Sequence, residues 1–87
     1  MASIIIVSFN TKQLTRNCLA SLRKHEPEME VIVVDNASHD GSTEMVAAEF
    51  PEAQLLTLNE NLGFGGANNI GYQHVTHDVV ILLNSDT

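Results

Sequence analysis

Apolar residues along the chain fall into four short runs, of which the third is the weakest. Short continuous runs rich in Val and Ile are typical of strands that are buried on both faces of a parallel sheet. The four runs predict strands over residues 3–9, 30–35, 53–58 and 78–83.

The intervals between these runs have apolar residues at helical spacing. The first predicts a helix that is capped by Asn10 or Thr11, both of which are good N-cap residues. The second predicts a helix over residues 42–50 with Asp40 as its cap, and the third predicts a helix over residues 66–75.

Strands that alternate with helices predict an α/β domain: a Rossmann-like parallel sheet with helices on both faces. Because crossovers between parallel strands are right-handed, the natural doubly wound arrangement has the strand order 3-2-1-4. The switch point then lies between the first and fourth strands, and ligands of such sheets bind beyond the carboxyl ends of the strands near that point.

Polar residues and one aromatic residue stand where three of the predicted strands end, so the topology brings them to one edge of the sheet. They are Ser8, Phe9, Asn10, Asp35, Asn36, Asn84, Ser85 and Asp86. A carboxylate at Asp35 suits a nucleobase N–H or ribose hydroxyls, but it also suits the cap of an Asx turn. Phe9 suits stacking on a base or a place in the core, and Ser8 could offer its hydroxyl or its backbone to a base.

Asp86 is a candidate ligand for a hard cation, with Asn84 as a neutral oxygen beside it. Mg²⁺ or Mn²⁺ prefers carboxylate and phosphate oxygens. One carboxylate makes a weak site, so a bound diphosphate would have to supply further ligands. The alternative is an ordinary polar loop.

A glycine-rich segment follows the third predicted strand. Gly63, Gly65 and Gly66 allow either a close approach of the backbone to a ligand or a loop with positive φ. The helix that follows could direct its N-terminus at an anion. Asn68 and Asn69 lie at its start, and each fits either of two roles, fixing the loop or facing a ligand.

The charge distribution limits the classes of ligand that the chain can bind. The formal net charge is −7, and all four Lys and Arg residues lie in the first 24 positions. Nucleic acid is therefore excluded as a main partner, because phosphate neutralisation needs a basic patch. The single cysteine permits no internal disulfide, the four histidines have no zinc-ligand spacing, and no apolar run is long enough to span a bilayer.

Four segments of the chain together resemble family 2 glycosyltransferases with the GT-A fold, and most of all the bacterial rhamnosyltransferase-like branch that builds surface polysaccharides. They are SIIIVSFNTKQLTRNCLASL, VIVVDNASHDGS, NENLGFGGANNIGY and VVILLNSDT. The resemblance implies a nucleotide site formed by Ser8, Phe9, Asn10, Asp35, Asn61, Gly63 and Gly66. Asn84-Ser85-Asp86 matches the family's Asp-x-Asp position, which implies a Mg²⁺ or Mn²⁺ site at Asp86 and Asn84, although Asn84 replaces the first acid.

The resemblance also implies an inverting enzyme that uses a UDP- or dTDP-linked sugar and a glycan or lipid-linked acceptor. Such enzymes continue well past the Asp-x-Asp motif, so the acceptor site and the general base are expected beyond Thr87. Residues 1–87 are therefore expected to be the nucleotide-sugar-binding half of a GT-A domain, without a catalytic residue of their own. We expect this fragment to be inactive alone and to self-associate, and the full enzyme to be cytoplasmic or at the inner face of the membrane.

Two rival functions fit the sequence less well. A dinucleotide-binding oxidoreductase needs a glycine-rich turn after the first strand, where this chain has Phe9-Asn10-Thr11-Lys12. A receiver-type signalling domain needs paired acids at that place and an Asp after the third strand, where Asn59 stands. A non-catalytic fragment kept for folding or assembly shares the same fold and has no separate signal.

Overall fold

The computed structural model describes residues 2–77 and 79–84. Its four strands are β1 (Ala2–Ser8), β2 (Glu30–Asp35), β3 (Gln54–Thr57) and β4 (Val79–Asn84). They form one parallel sheet in the order β3-β2-β1-β4, as the sequence predicts. The predicted strands are thus confirmed, with ends that differ by one residue at most.

The strand register aligns the carboxyl ends of β1, β2 and β4, which the sequence predicts to lie at one edge of the sheet. Ser8 at the end of β1 pairs with Asp35 at the end of β2. On the other side of β1, Val7 pairs with Asn84 at the end of β4. Because the strands are parallel, all three carboxyl ends lie at the same edge of the sheet.

Three helices cover the two faces of the sheet: α1 (Lys12–His25), α2 (Ser42–Glu49) and α3 (Gly63–Tyr72). One apolar cluster lies on the α1 and α2 side and consists of Ile4, Ile6, Leu19, Val33, Met45, Val46 and Phe50. A second lies on the α3 side and consists of Ile5, Val7, Ile32, Val34 and Ala67. Successive strand residues therefore point to opposite faces, and both faces are buried, as the continuous apolar runs require.

Gly41, rather than the predicted Asp40, occupies the N-cap position of α2. The Asp40 carboxylate nevertheless bonds to the start of α2 and also to the start of α1. Its Oδ1 accepts a hydrogen bond from the Ser42 backbone nitrogen over 3.1 Å, and its Oδ2 accepts one from the Lys12 backbone nitrogen over 3.0 Å. The bond from the Ser42 hydroxyl is the main reason why the pKa of Asp40 lies below its usual value. Thr11 does occupy the N-cap position of α1, but its side chain makes no capping bond there.

The predicted start of α3 is wrong by one turn. The sequence predicts a helix over residues 66–75, whereas the helix begins at Gly63 and ends at Tyr72, three residues earlier at each end. Gly63 takes up a φ of +74°, and its N–H donates to Asn61 Oδ1 over 2.8 Å. The glycine-rich stretch therefore forms the first turn of the helix, because neighbouring asparagine side chains fix its entry.

Two arginines of α1 fasten that helix to α2 and to the turn that follows it. Arg16 forms an ion pair with Glu49 at 2.8 Å, and Arg23 forms one with Glu52 at 2.7 Å. The Arg23 guanidinium also lies 4.5 Å from the centroid of the Phe50 ring. These cations are thereby engaged on the α1 and α2 side. Within residues 2–77 and 79–84, no helix is long and apolar enough to cross a membrane.

Candidate functional site

A cleft of about 230 Å³ opens at the carboxyl ends of β1 and β4, where the topology switches direction. It is lined by Val7, Phe9, Thr11, Asn36, Asn61, Gly63, Phe64 and Asn84. The rings of Phe9 and Phe64 are each 43% exposed, although both are large apolar groups. None of these described lining residues is charged, so an anion bound here would meet no repelling carboxylate among them.

Asn36 ties together the three segments that form the cleft. Its backbone nitrogen donates to the Ser8 carbonyl oxygen over 2.8 Å. Its side chain accepts from the Leu62 nitrogen over 3.0 Å and donates to the Gly63 oxygen over 3.1 Å. The residue is 2% exposed. The sequence places Asn36 at this edge, directly after the strand end at Asp35, but it does not predict a role for Asn36 in the site.

Asp35 lies at the same edge but beneath the cleft rather than in its lining. It is 2% exposed, and its carboxylate accepts from the Ser38 nitrogen over 2.8 Å and from the Ser38 hydroxyl over 2.7 Å. The carboxylate thus caps the turn after β2 through a residue three positions on, which is the structural role that the sequence leaves as one alternative. Each carboxylate oxygen can still accept a further bond, because it has a second lone pair.

Ser8 and Asn10 stabilise this edge of the sheet through hydrogen bonds to neighbouring segments. The Ser8 hydroxyl is fully buried and lies 2.9 Å from the Thr15 hydroxyl. Asn10 has a φ of 51°, a left-handed conformation that Asn tolerates well. Its Oδ1 accepts from the His39 nitrogen over 2.8 Å, and its own nitrogen donates to the Ser38 hydroxyl. Asn10 thus joins the turn after β1 to the turn after β2.

Gly63 and Gly66, in the first turn of α3, need a glycine for different structural reasons. Gly63 needs its positive φ, and an added Cβ would meet nothing within 4 Å. Gly66 lies inside α3, and a Cβ there would come within 2.8 Å of the Leu62 Cβ. Gly63 and Asn61 line the cleft, whereas Gly66 allows the helix to close against its own first turn.

The predicted metal residues are only partly described. Asn84 lines the cleft at the end of β4. The described residues contain no group of three or more His, Cys, Asp or Glu side chains that could hold a metal ion. The amide oxygens that line the cleft are hard donors. They fit a cation that takes most of its other ligands from a bound diphosphate.

Two of the predictions concern the end of the chain. Asp86, the predicted metal ligand, lies outside the described residues. Thr87, beyond which the acceptor site and the general base are expected, lies outside them as well. The cleft is therefore described up to Asn84, and the metal site and the general base stay predictions.

The sequence predictions for the described residues separate into two sets. Phe9, Asn61, Gly63 and Asn84 line the cleft, together with Asn36 and Phe64, which sequence reasoning did not assign. Four others do not line it but bond to or pack against the segments that do or their neighbours: Ser8, Asn10, Asp35 and Gly66. The N-terminus of α3 opens into the cleft, and helix N-termini attract anions through their free N–H groups and the helix dipole.

Comparison with known sequences gives a consistent result. The sequence model of glycosyl transferase family 2 matches residues 3–87. The uncharacterized glycosyltransferase YfnE of Bacillus subtilis is 37% identical over 90 residues, which are 98% of this chain and 23% of that protein. The undecaprenyl-phosphate 4-deoxy-4-formamido-L-arabinose transferase of Pectobacterium atrosepticum is 36% identical over 92 residues, which are 97% of this chain and 28% of that protein. The chain thus spans about a quarter of the length of these curated relatives.

Solved structures agree with the sequence relatives. The mannosyltransferase PcManGT from Pyrobaculum calidifontis, in complex with GDP-Man and Mn²⁺, is similar with a TM-score of 0.83 and 27% identity. S. aureus TarS 1-349, in complex with UDP, is similar with a TM-score of 0.87 and 26% identity. Each likeness covers 98% of this chain and 27% of the other. These likenesses favour glycosyl transfer over dinucleotide-dependent oxidoreduction and receiver signalling.

Proposed function

Since the chain belongs to glycosyltransferase family 2, we propose that its cleft binds the nucleotide diphosphate part of a sugar nucleotide. The proposal rests above all on one observation: half-exposed aromatic rings and a helix N-terminus meet at the switch point of the sheet. An aromatic face suits a nucleobase, and a helix N-terminus suits phosphate. Both parts of a nucleotide thus have a chemically matched surface in one cleft.

In this proposal different residues bind the base, the ribose and the diphosphate. Phe9 directly follows β1 and stacks on the base. Asp35, which pairs with Ser8 at the same edge, uses a free lone pair to accept a bond from the base or the ribose. Gly63 leaves space for the diphosphate at the start of α3, since no side chain occupies that side. Asn61 fixes the backbone there through its bond to the Gly63 nitrogen.

A divalent cation, Mg²⁺ or Mn²⁺, would be held by Asp86 and Asn84 together with the diphosphate oxygens. It would supply positive charge that stabilises the departing nucleotide diphosphate. The arginines at positions 16 and 23 are paired with glutamates on the α1 and α2 side. This division of charge supports a metal, rather than an arginine, as the neutralising group.

The reaction of the whole protein is part of the same proposal. It is an inverting transfer of the sugar to a glycan or lipid-linked acceptor, in which a carboxylate beyond Thr87 acts as general base. The relative that acts on undecaprenyl phosphate supports a lipid-linked acceptor and a place at the inner face of the membrane. Because no acid or base is among the described residues that line the cleft, this chain alone is expected to bind a nucleotide without transferring sugar.

Calorimetric titration of the chain with UDP, dTDP and NAD, each with and without Mn²⁺, tests the proposal. We expect binding of UDP or dTDP that Mn²⁺ strengthens, and no binding of NAD. Asp35→Asn should weaken nucleotide binding while it keeps the shape of the turn, and Glu28→Gln at the opposite edge of the sheet is the matched control. Absence of binding by both UDP and dTDP at millimolar concentration would refute the proposed function.

A further inference from the structure

Asn68 carries a buried amide oxygen that has no hydrogen-bond partner among the described residues. The side chain lies in the second turn of α3 and is 7% exposed. Of the buried side-chain oxygens and nitrogens in residues 2–77 and 79–84, this is the one without a partner. Buried polar atoms are almost always paired in native proteins, so an unpaired one needs an explanation, and a ligand that completes it is one.

The part of α3 around Asn68 packs closely against the sheet. The neighbouring face of α3 lies directly on the sheet, because a Cβ at Gly71 would come within 2.7 Å of Ile5 Cγ2 and 3.0 Å of Val34 Cγ2. Ala67, the residue before Asn68, is fully buried in the same contact. An apolar side chain at position 68 would fit such an environment without leaving any polar atom unpaired.

Helix geometry directs the Asn68 amide toward the cleft. Phe64 precedes Asn68 by four residues, so the two side chains lie on the same face of α3. Side chains of an α-helix lean toward its N-terminus. Phe64 and Gly63 line the cleft, and they form the first turn of α3. The side chain of Asn68 therefore leans toward the turn of α3 that lines the cleft, one turn behind Phe64, although Asn68 itself is not among the lining residues.

We propose that Asn68 Oδ1 accepts a hydrogen bond from a hydroxyl group of the bound sugar nucleotide, and that Asn68 is a specificity-determining residue of the cleft. The proposal rests on the proposed function. A phosphate cannot fill this role, because at neutral pH it has acceptors and negative charge but almost no donor, and the amide oxygen would repel it. Hydroxyl donors occur on the ribose and on the transferred sugar, and the two sources make different predictions.

The test compares wild type with Asn68→Leu by calorimetry in the presence of Mn²⁺. The ligands are UDP, 2′,3′-dideoxy-UDP and UDP-GlcNAc. If the ribose supplies the donor, Asn68→Leu weakens UDP about fivefold to tenfold and leaves dideoxy-UDP unchanged, since a single hydrogen bond is lost. If the transferred sugar supplies it, only the affinity for UDP-GlcNAc falls by that factor. Asn69→Leu, at the exposed neighbouring amide, should leave all three affinities unchanged.

A second measurement separates a ligand contact from a structural role. Because Oδ1 has no described protein partner, Asn68→Leu should leave the urea midpoint of the free chain unchanged or raise it. A lower midpoint would show that the oxygen is already satisfied in the free protein, and the inference would fail. Asn68→Ala, which cannot overpack the helix, repeats both measurements if the Leu variant does not fold.

Two binding results would also overturn the inference. One is equal affinity of wild type and Asn68→Leu for UDP and UDP-GlcNAc, which would leave the proposed function intact. The other is an equal loss of affinity for all three ligands, since the donor would then not be a hydroxyl. If wild type binds no nucleotide at all, the proposed function itself fails, and this inference falls with it.

Discussion

The side-chain amide of Asn36 donates a hydrogen bond to the Gly63 carbonyl oxygen over 3.1 Å. This bond joins the end of β2 to the first residue of α3, two places that are 27 residues apart in the chain. Asn36 Oδ1 accepts from the Leu62 nitrogen at the same time. The residue thus sets where α3 begins, and with it the position of the helix N-terminus that opens into the cleft.

Asn36→Ala should therefore weaken both the fold and the binding of nucleotide. The change removes the bonds to the Leu62 nitrogen and the Gly63 oxygen, and each such bond contributes about 0.5–1.5 kcal/mol to stability. We expect a lower urea midpoint and a weaker affinity for UDP in calorimetry. Asn17→Ala, an exposed asparagine on α1 that bonds only to Gln13 among the described residues, is the control and should change neither. Wild-type stability in Asn36→Ala would contradict this role.

Sequence reasoning finds the edge of the sheet but not the bonds that shape it. Alternation of apolar strands with helices limits the topology, so the pairing of Ser8 with Asp35 can be anticipated. The partners of Asn36 lie 26 and 27 residues away and are backbone atoms, which no residue pattern reveals. The predicted start of α3 is misplaced for the same reason, because glycines favour a loop unless a distant side chain fixes them.

The same distinction applies to Asp40 and Asn68. A capping role for Asp40 follows from its place before α2, but its second bond, to the Lys12 nitrogen, crosses 28 residues of sequence. Asn68 stands out only when the burial and bonding of every polar atom are known. Local chemistry can thus be inferred from the sequence, whereas contacts between distant loops cannot.

Phe9→Ala should lower nucleotide affinity with little effect on stability. The ring is 43% exposed and lines the cleft, so its removal takes little apolar surface from the core. Stacking of a base on an aromatic ring is worth about 1–3 kcal/mol, which corresponds to a loss of about tenfold or more in affinity. Calorimetry with UDP and with dTDP measures the loss.

Tyr72→Ala is the matched control for Phe9→Ala. Tyr72 is also an exposed aromatic residue, with 61% of its surface accessible, but it lies at the other end of α3 and does not line the cleft. Its removal should leave the affinity unchanged. A similar affinity in Phe9→Ala and wild type would show that the base does not stack on Phe9.

Protonation of Glu30 should make the fold less stable in acid. Its carboxylate accepts from the Ser3 hydroxyl over 2.6 Å and from the nitrogen and hydroxyl of Thr76. These bonds, the one from Ser3 most of all, lower the pKa of Glu30. A carboxyl group whose pKa is lower in the folded state stabilises the fold above its unfolded pKa, and this contribution is lost as the pH falls through the folded pKa.

Urea midpoints at pH 7 and at about pH 3 measure this contribution. Glu30→Gln should lower the midpoint at pH 7 and should lose less stability than wild type on acidification, because part of the wild-type loss is already present. Glu60→Gln, at an exposed glutamate in the segment before α3, is the control. An unchanged acid dependence in Glu30→Gln would assign the loss to other carboxylates, of which Asp40 and Glu52 also have a lowered pKa.

Leu82→Lys should reduce self-association of the chain. Among the described strands, β4 pairs only with β1, so its outer edge presents backbone groups that another strand could pair with. Leu82 is 51% exposed on one face of this strand, and Ile81 is 42% exposed on the other. The described part of the strand carries no charge that would repel a second copy. We therefore expect wild type to associate with rising concentration in light scattering, and a lysine at position 82 to shift the population toward monomer.

Leu14→Lys is the matched control for Leu82→Lys. It places the same charge at a residue of α1 that is 47% exposed, away from the edge of β4. Because a charge acts against strand pairing only where it lies on the pairing strand, Leu14→Lys should leave the association unchanged. An equal shift toward monomer in both variants would assign the effect to net charge instead. A wild-type chain that stays monomeric at millimolar concentration would show that the edge of β4 does not pair with a second copy.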